Sequence, residues 1–280
     1  MKKTLSSIIT FLAVLICVGS AKAQSLIPNP SSGQTIIQDF GLGKVTLNYY
    51  RPNVKGRKIF GGLESYGAVW RTGANNATTI MFTDEVVIAG NKVSAGKYSL
   101  FTIPEKESWT IILNKTADQW GAYDYKKEDD LLRFTSKPII TKEKTETFTM
   151  QFSDVTSGSM NLNLMWENVA ISIPMTVDYD SKVMENIDKA MMGEKKPYFA
   201  AAQYYYSNGK DLNKALSWIN EAEKSDTKAP WFKLWKARIQ LKMGDKKAAA
   251  ETAKMGIEAA KEAKNDEYIK LNQNVLNSIK

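Results

Sequence analysis

The sequence predicts an α+β chain of two domains: an antiparallel β-sandwich of jelly-roll type, then an α-helical repeat domain. Three observations predict it. About ten short runs of alternating apolar and polar residues recur between residues 35 and 178, with turn residues and no helical crossovers between them. Near Asp180 the strand-like runs stop, and Ala, Lys and Glu dominate from there on. Within that tail, small residues recur at a spacing of 34. The expected divisions are 1–23 for a cleaved leader, 24–180 for the sandwich and 181–280 for the helices.

The leader has the parts of a secretory signal. Lys2 and Lys3 form a basic end, residues 8–18 an apolar run, and Ala21-Lys22-Ala23 a small-x-small cleavage site. Cleavage after Ala23 leaves 257 of the 280 residues, beginning at Gln24. The apolar run is short for a membrane anchor, so no integral membrane segment is expected after cleavage. Cys17, the one cysteine, lies in the leader, and Ile16 before it is not the small residue a lipoprotein cysteine needs. A mature chain without cysteine builds its core without disulfides, which its length allows. The expected location is a bacterial periplasm or the cell exterior.

Composition removes several chemistries. There is no histidine, so Ser-His-Asp and Cys-His mechanisms are excluded and the usual zinc ligands are missing. Carboxylates, Tyr, Lys and Arg remain. No metal and no cofactor is expected, because no phosphate-binding glycine loop or paired-Asp calcium loop is visible. The formal charge of +8 falls to +5 without Lys2, Lys3 and Lys22. Lysines alternate with acids beyond residue 181, as on a solvated helical surface, and no nucleic-acid partner is expected.

The strands follow in order. Residues 24–34, with Pro28, Pro30 and Gly33, are an extended lead-in. Residues 35–40 and 44–50 flank the turn Gly41-Leu42-Gly43. After a long irregular stretch come 78–82, 85–89, a Gly90-Asn91 turn into 92–93, and then 97–103, stopped by Pro104. Residues 108–114, 131–140 and 145–152 continue the pattern. Met160, Leu162, Leu164 and Trp166 then alternate with polar residues, as do Val169, Ile171, Ile173, Met175 and Val177. Glu167-Asn168 between the two runs reads as a hairpin turn. Pro174 places the last strand at a sheet edge.

Six helices are expected in the tail, over residues 181–192, 198–207, 211–225, 231–243, 245–264 and 266–279. Ala215 and Ala249 lie 34 apart, as do Ala222 and Gly256, and Gln203 and Ala237. Asn208-Gly209-Lys210-Asp211 and Met243-Gly244-Asp245-Lys246 are matching turns. From about residue 197 the tail resembles two tetratricopeptide-type repeats with a final helix, as against a plain bundle. Such repeats imply a protein partner on their concave face.

Residues 51–75 are the stretch that ordinary strands do not explain. Glycines at 61, 62, 67 and 73 allow tight bends, and Arg51, Arg57, Arg71 and Asn75 stand between aromatics. A second cluster is Gln119-Trp120-Gly121-Ala122-Tyr123-Asp124-Tyr125. Arginine suits carboxylate or phosphate, and flat aromatic faces suit a sugar ring or a peptide. The candidate ligand-binding set is Arg51, Arg71, Asn75, Trp120, Tyr123 and Asp124, with a sugar or peptide as the ligand. An alternative is a structural brace, Arg71 pairing with Asp124. A glycan hydrolase would need a second carboxylate beside Asp124, with Glu64, Asp129 and Asp130 as candidates. Catalytic residues cannot be assigned from spacing.

The ordered motifs Y-Y-R-P-N-V-K-G-R-K-I-F-G, V-W-R-T-G-A-N-N-A-T-T, A-G-K-Y-S-L-F-T-I-P and Q-W-G-A-Y-D-Y resemble the DUF2911 family, a secreted bacterial domain of unknown function. The likeness covers about residues 24–180. It implies export by bacteria of the Bacteroidetes type, and it supplies no activity. It marks Arg51, Arg57, Lys58, Arg71, Asn75, Trp120, Tyr123 and Asp124 as signature positions. The expected function is that of an exported binding and interaction module. A carboxylate-dependent glycan hydrolase and a purely structural envelope protein are the alternatives.

Overall fold

A computed structural model describes residues 27–279. The leader and its cleavage site lie outside the described residues. The chain divides into two compact units between Asp178 and Tyr179.

The first unit holds ten strands among the described residues. They are β1 (Ser32–Phe40), β2 (Gly43–Arg51), β3 (Thr78–Phe82), β4 (Val86–Ile88), β5 (Asn91–Val93), β6 (Gly96–Ile103), β7 (Trp109–Asn114), β8 (Asp130–Ser136), β9 (Ile139–Ser153) and β10 (Ser159–Thr176). One sheet runs β1-β2-β3-β6-β7-β8 and the other β5-β4-β10-β9, and every paired neighbour is antiparallel. Alternation decides what faces inward. Leu47, Ile80, Leu100 and Ile111 of the first sheet are buried, as are Met150, Leu162 and Ile173 of the second. Ile80, Leu100 and Ile111 share an internal space with Leu162, Ile173 and Met175, so the sheets pack face to face. Each such side chain contributes about 1.5–3 kcal/mol by leaving water.

Three local features depart from the strand reading. Residues 131–140 are not one strand. Lys137-Pro138 separates β8 from β9, which belong to different sheets, because proline cannot continue a ladder. The hairpin at Glu167-Asn168 does not form, and β10 is a single strand of 18 residues. Its register with β9 shifts on both sides of Glu167, and Glu167 has φ of 55°. The irregularity turns the inward face from Trp166 to Ile171 without reversing the chain. Pro174 is not on an edge strand, since β10 lies between β4 and β9. Pairing with β9 ends at Ala170, however, so Pro174 has β4 alone beside it, where its carbonyl accepts from the Ala89 N–H at 3.0 Å.

The second unit holds six helices among the described residues: α1 (Asp180–Met191), α2 (Tyr198–Ser207), α3 (Leu212–Glu223), α4 (Pro230–Lys242), α5 (Lys246–Glu262) and α6 (Asp266–Ile279). The two matching turns work alike. Gly209 and Gly244 take positive φ after α2 and α4. Asp211 then caps α3 through the N–H groups of Asn213 and Lys214, and Asp245 caps α5 through that of Ala248. Ala202, Tyr205, Ala215, Ile219 and Ile239 share one buried cluster, and Leu234, Ala237, Ala253 and Val275 another. Gly256 of α5 meets Asn272 of α6 so closely that a Cβ there would stand 2.3 Å from Asn272 Oδ1. Among the described residues no helix is long and apolar enough to cross a membrane.

Candidate functional site

The stretch between β2 and β3 is wound on itself by its backbone. Gly61 N–H donates to Glu64 O at 2.8 Å, Leu63 N–H to Lys58 O at 3.0 Å, and Glu64 N–H to Ile59 O at 2.9 Å. Ile59, Phe60 and Trp70 anchor it in the core. Trp70 stacks on Trp166 of β10 with ring centroids 5.7 Å apart, and Phe60 meets Trp109 edge-on at 4.8 Å. Trp70 pairs through its backbone with Thr102, in both directions, and its Nε1 donates to Gly73 O at 3.1 Å. Trp70 is therefore a peg in the core.

Beyond Trp70 the backbone is strained. Thr72 is buried at φ 56°, a left-handed conformation that β-branched residues rarely take. It is held there: its carbonyl accepts from Thr78 Oγ1 at 2.5 Å, and its Oγ1 meets Thr102 Oγ1 at 3.1 Å. At Gly73, φ is 147° and a Cβ would lie 2.9 Å from Tyr50 O, so glycine is required. Such strain costs about 1–3 kcal/mol per residue and collects at functional sites. Here it flanks Arg71.

Arg71 lines a cavity of about 270 Å³ together with Asn53, Lys55, Arg57, Glu64 and Trp166. Arg57 is fixed to its own loop, Nε donating to Val54 O at 3.0 Å and Nη2 to Asn53 O at 2.6 Å. Arg71 Nε and Trp166 Nε1 are both buried donors without a hydrogen-bond partner. A buried orphan of this kind costs about 1–3 kcal/mol. Glu64 is half-buried, and among the described residues no ion pair within 4.0 Å joins it to either guanidinium. Burial pushes its carboxyl up to about 7, against the opposing pull of Arg71 and then Arg57. The walls thus carry three cationic side chains and at most one anionic one.

Of the six predicted binding residues, Arg71 alone lines this cavity. Arg51 instead joins the sheets: Nε donates to Phe148 O at 3.2 Å and Nη2 to Thr149 Oγ1 at 3.0 Å, both on β9. Asn75, at φ 56°, donates through Nδ2 to Asn29 Oδ1 at 3.2 Å and accepts from the Gly121 N–H at 3.0 Å. Trp120 and Tyr123 are 60% and 81% exposed, and Asp124 is exposed as well. The Arg71–Asp124 brace does not form. Among the described residues no ion pair joins the two, because Asp124 turns to solvent. The two clusters meet at Gly121, where a Cβ would stand 2.7 Å from the Tyr123 ring and 3.3 Å from Arg71 Nη1. The brace in the second cluster belongs to Tyr125. Its hydroxyl donates to Asp130 Oδ2 at 2.7 Å, and Arg133 Nη1 donates to that oxygen at 2.6 Å and to the Tyr125 oxygen at 2.8 Å. Burial first, then Asp130, raise the phenol to about 12.

Sequence reasoning missed Glu64 as a wall of this cavity, and Trp166 altogether as a site residue. Trp166 looked like one more apolar strand residue, although it stands where the alternation of β10 changes phase. Glu64 follows the Gly61-Gly62 bend, which returns the chain toward the core.

Fold and site together define a two-sheet β-domain with a cationic, aromatic-floored cavity, followed by helices. The chain belongs to the DUF2911 family, described as protein of unknown function, whose profile matches residues 31–175. That span includes Arg57, Glu64, Arg71 and Trp166, and stops before the helices. The chain matches no curated protein and no solved structure.

Proposed function

We propose that the protein is an exported bacterial binding and interaction module, periplasmic or secreted. Its β-unit takes a small polar ligand, a sugar or a peptide, in the Arg71 cavity, and its helical unit docks a protein partner. One observation carries the ligand site: Arg71 and Trp166 line the same cavity, and each holds a buried donor, Arg71 Nε and Trp166 Nε1, without a hydrogen-bond partner. Trp120 and Tyr123 offer exposed flat faces on the loop that reaches Arg71 at Gly121, suited to a longer ligand. The leader pattern of residues 2–23 supports export. The buried small residues Ala215, Ala249 and Gly256 support tetratricopeptide-like packing of the helices.

A thermal-shift screen of sugars and short peptides tests the site. Hits should raise the melting temperature of the native protein and not that of Arg71→Ala. A screen without hits of any class contradicts the assignment.

Hydrolysis of a glycan is favoured by the burial of Glu64 in the cavity wall, which raises its carboxyl to about 7, the range of a general acid. The lining supplies no second carboxylate, so binding is the better supported of the two. Glycan turnover that is lost in Glu64→Gln would reverse that order.

A further inference from the structure

The cavity wall specifies more than polarity. Lys55, Arg57 and Arg71 face it, opposed by Glu64 alone among the lining residues. Two carboxylates outside the lining bond to the backbone of this stretch: Glu146 Oε1 accepts from the Lys55 N–H at 2.7 Å, and Glu167 Oε2 from the Ile59 N–H at 3.2 Å. The lining therefore holds a net positive charge whether or not Glu64 is ionised, and an anionic group is what it lacks. The lining residues hold flat donor groups with nitrogens that no other group takes among the described residues: Arg71 Nε, Trp166 Nε1 and Arg57 Nη1. Guanidinium forks match the planar two-oxygen edge of a carboxylate. Phosphate sites are often built at a helix N-terminus, and no helix contributes to this lining, whose one glycine is Gly73.

Glu64 adds a second condition. It stands in the same cavity without an ion pair, so it leaves a hydrogen-bonding position open for a donor on the ligand. The volume of about 270 Å³ lies just below the roughly 300–1,000 Å³ of cavities for drug-sized ligands, so the occupant is small. Resting on the ligand-binding assignment made above, we infer that the cavity recognises a small carboxylic acid. Its carboxylate meets Arg71, Arg57 and Trp166 Nε1, and a hydroxyl or amino group of the same molecule meets Glu64. A sugar acid and a dipeptide both carry this pair of groups.

Calorimetric titration of the full chain separates the outcomes. The probes are galacturonate, glucuronate and Ala-Ala, each beside its carboxylate-free counterpart (galactose, glucose, Ala-Ala amide), with inorganic phosphate as a further arm. At least one acid should bind about tenfold or more tightly than its counterpart, as charged hydrogen bonds dictate. Preference for a uronate identifies the sugar-acid source, and preference for Ala-Ala the peptide source. Arg71→Lys, which keeps the charge and loses the fork, and Trp166→Phe, which loses only the indole donor and some ring area, should each erase most of that preference. Both variants are melted first, so that if one fails to fold the other still decides. Counterparts that bind as tightly as the acids, or phosphate binding best, overturn the inference and leave the site assignment standing. Binding by none of these probes overturns the inference, and failure of the broad sugar and peptide screen as well removes the site assignment beneath it.

Discussion

Glu64 gives the cavity a pH signature that a surface carboxylate would lack. Its folded-state value of about 7 lies above the ordinary 4.5, so the folded chain holds this proton more tightly than the unfolded chain does. That contribution is complete below about pH 4.5 and is lost as pH rises through 7. Glu64→Gln should therefore be the more stable form at pH 8, by up to about 3 kcal/mol relative to its effect at pH 4, in urea unfolding. An unchanged difference between the two pH values would mean that Glu64 is solvated. Arg51 belongs to another class of residue, since its bonds cross from β2 to β9. Arg51→Ala should cost about 1.5–3 kcal/mol and leave ligand affinity within a factor of two. A lost ligand with unchanged stability would return Arg51 to the binding set. Arg71 was legible in the sequence, because an arginine among glycines and aromatics has no role in a plain strand. The bridging part of Arg51 and the cavity role of Glu64 were not, because both depend on which distant strand or loop comes alongside.

Among the elements, period-two alternation identified most of the strands, and the Gly209-Lys210-Asp211 and Gly244-Asp245 turns identified helix ends. The hairpin error in β10 has a physical cause. A turn and a local irregularity both interrupt alternation, and one sequence carries the same signal for each. Only the pairing partner distinguishes them, and β9 continues past Glu167 on the same side. The helix crossing at Gly256 offers a sharp test of packing. Alanine is ordinarily favoured over glycine inside a helix by about 1 kcal/mol. Here its Cβ would press on the buried Asn272 side chain. Gly256→Ala should destabilise the helical unit by about 1–3 kcal/mol in chemical unfolding, and Asn272→Ala in the same chain should recover part of that loss. A stabilising Gly256→Ala would show that the contact is loose.

At the scale of the whole chain, the change of period near residue 180 carried most of the fold class, and each unit has its own core. The β-unit is built on Trp70, Trp109, Phe148 and Trp166, and the helical unit on Tyr205, Trp218 and Phe232. Residues 179–280 alone should therefore give a helical circular-dichroism spectrum and a cooperative melt. A spectrum without helix would mean that the tail borrows its stability. The family match ends at residue 175, so the site and the tail are separable in sequence as well as in structure.

The central claim is that Trp166 and Arg71 hold unpaired donors for a ligand, and the indole N–H of Trp166 can be watched directly. The chain has seven tryptophans, and Trp166→Phe identifies the one resonance. Titrating ¹⁵N-labelled protein with the acid preferred in calorimetry should move the Trp166 indole signal furthest, saturating with the calorimetric affinity. A ligand that binds while that signal moves no more than that of Trp218, in the other unit, would contradict the assignment of the cavity.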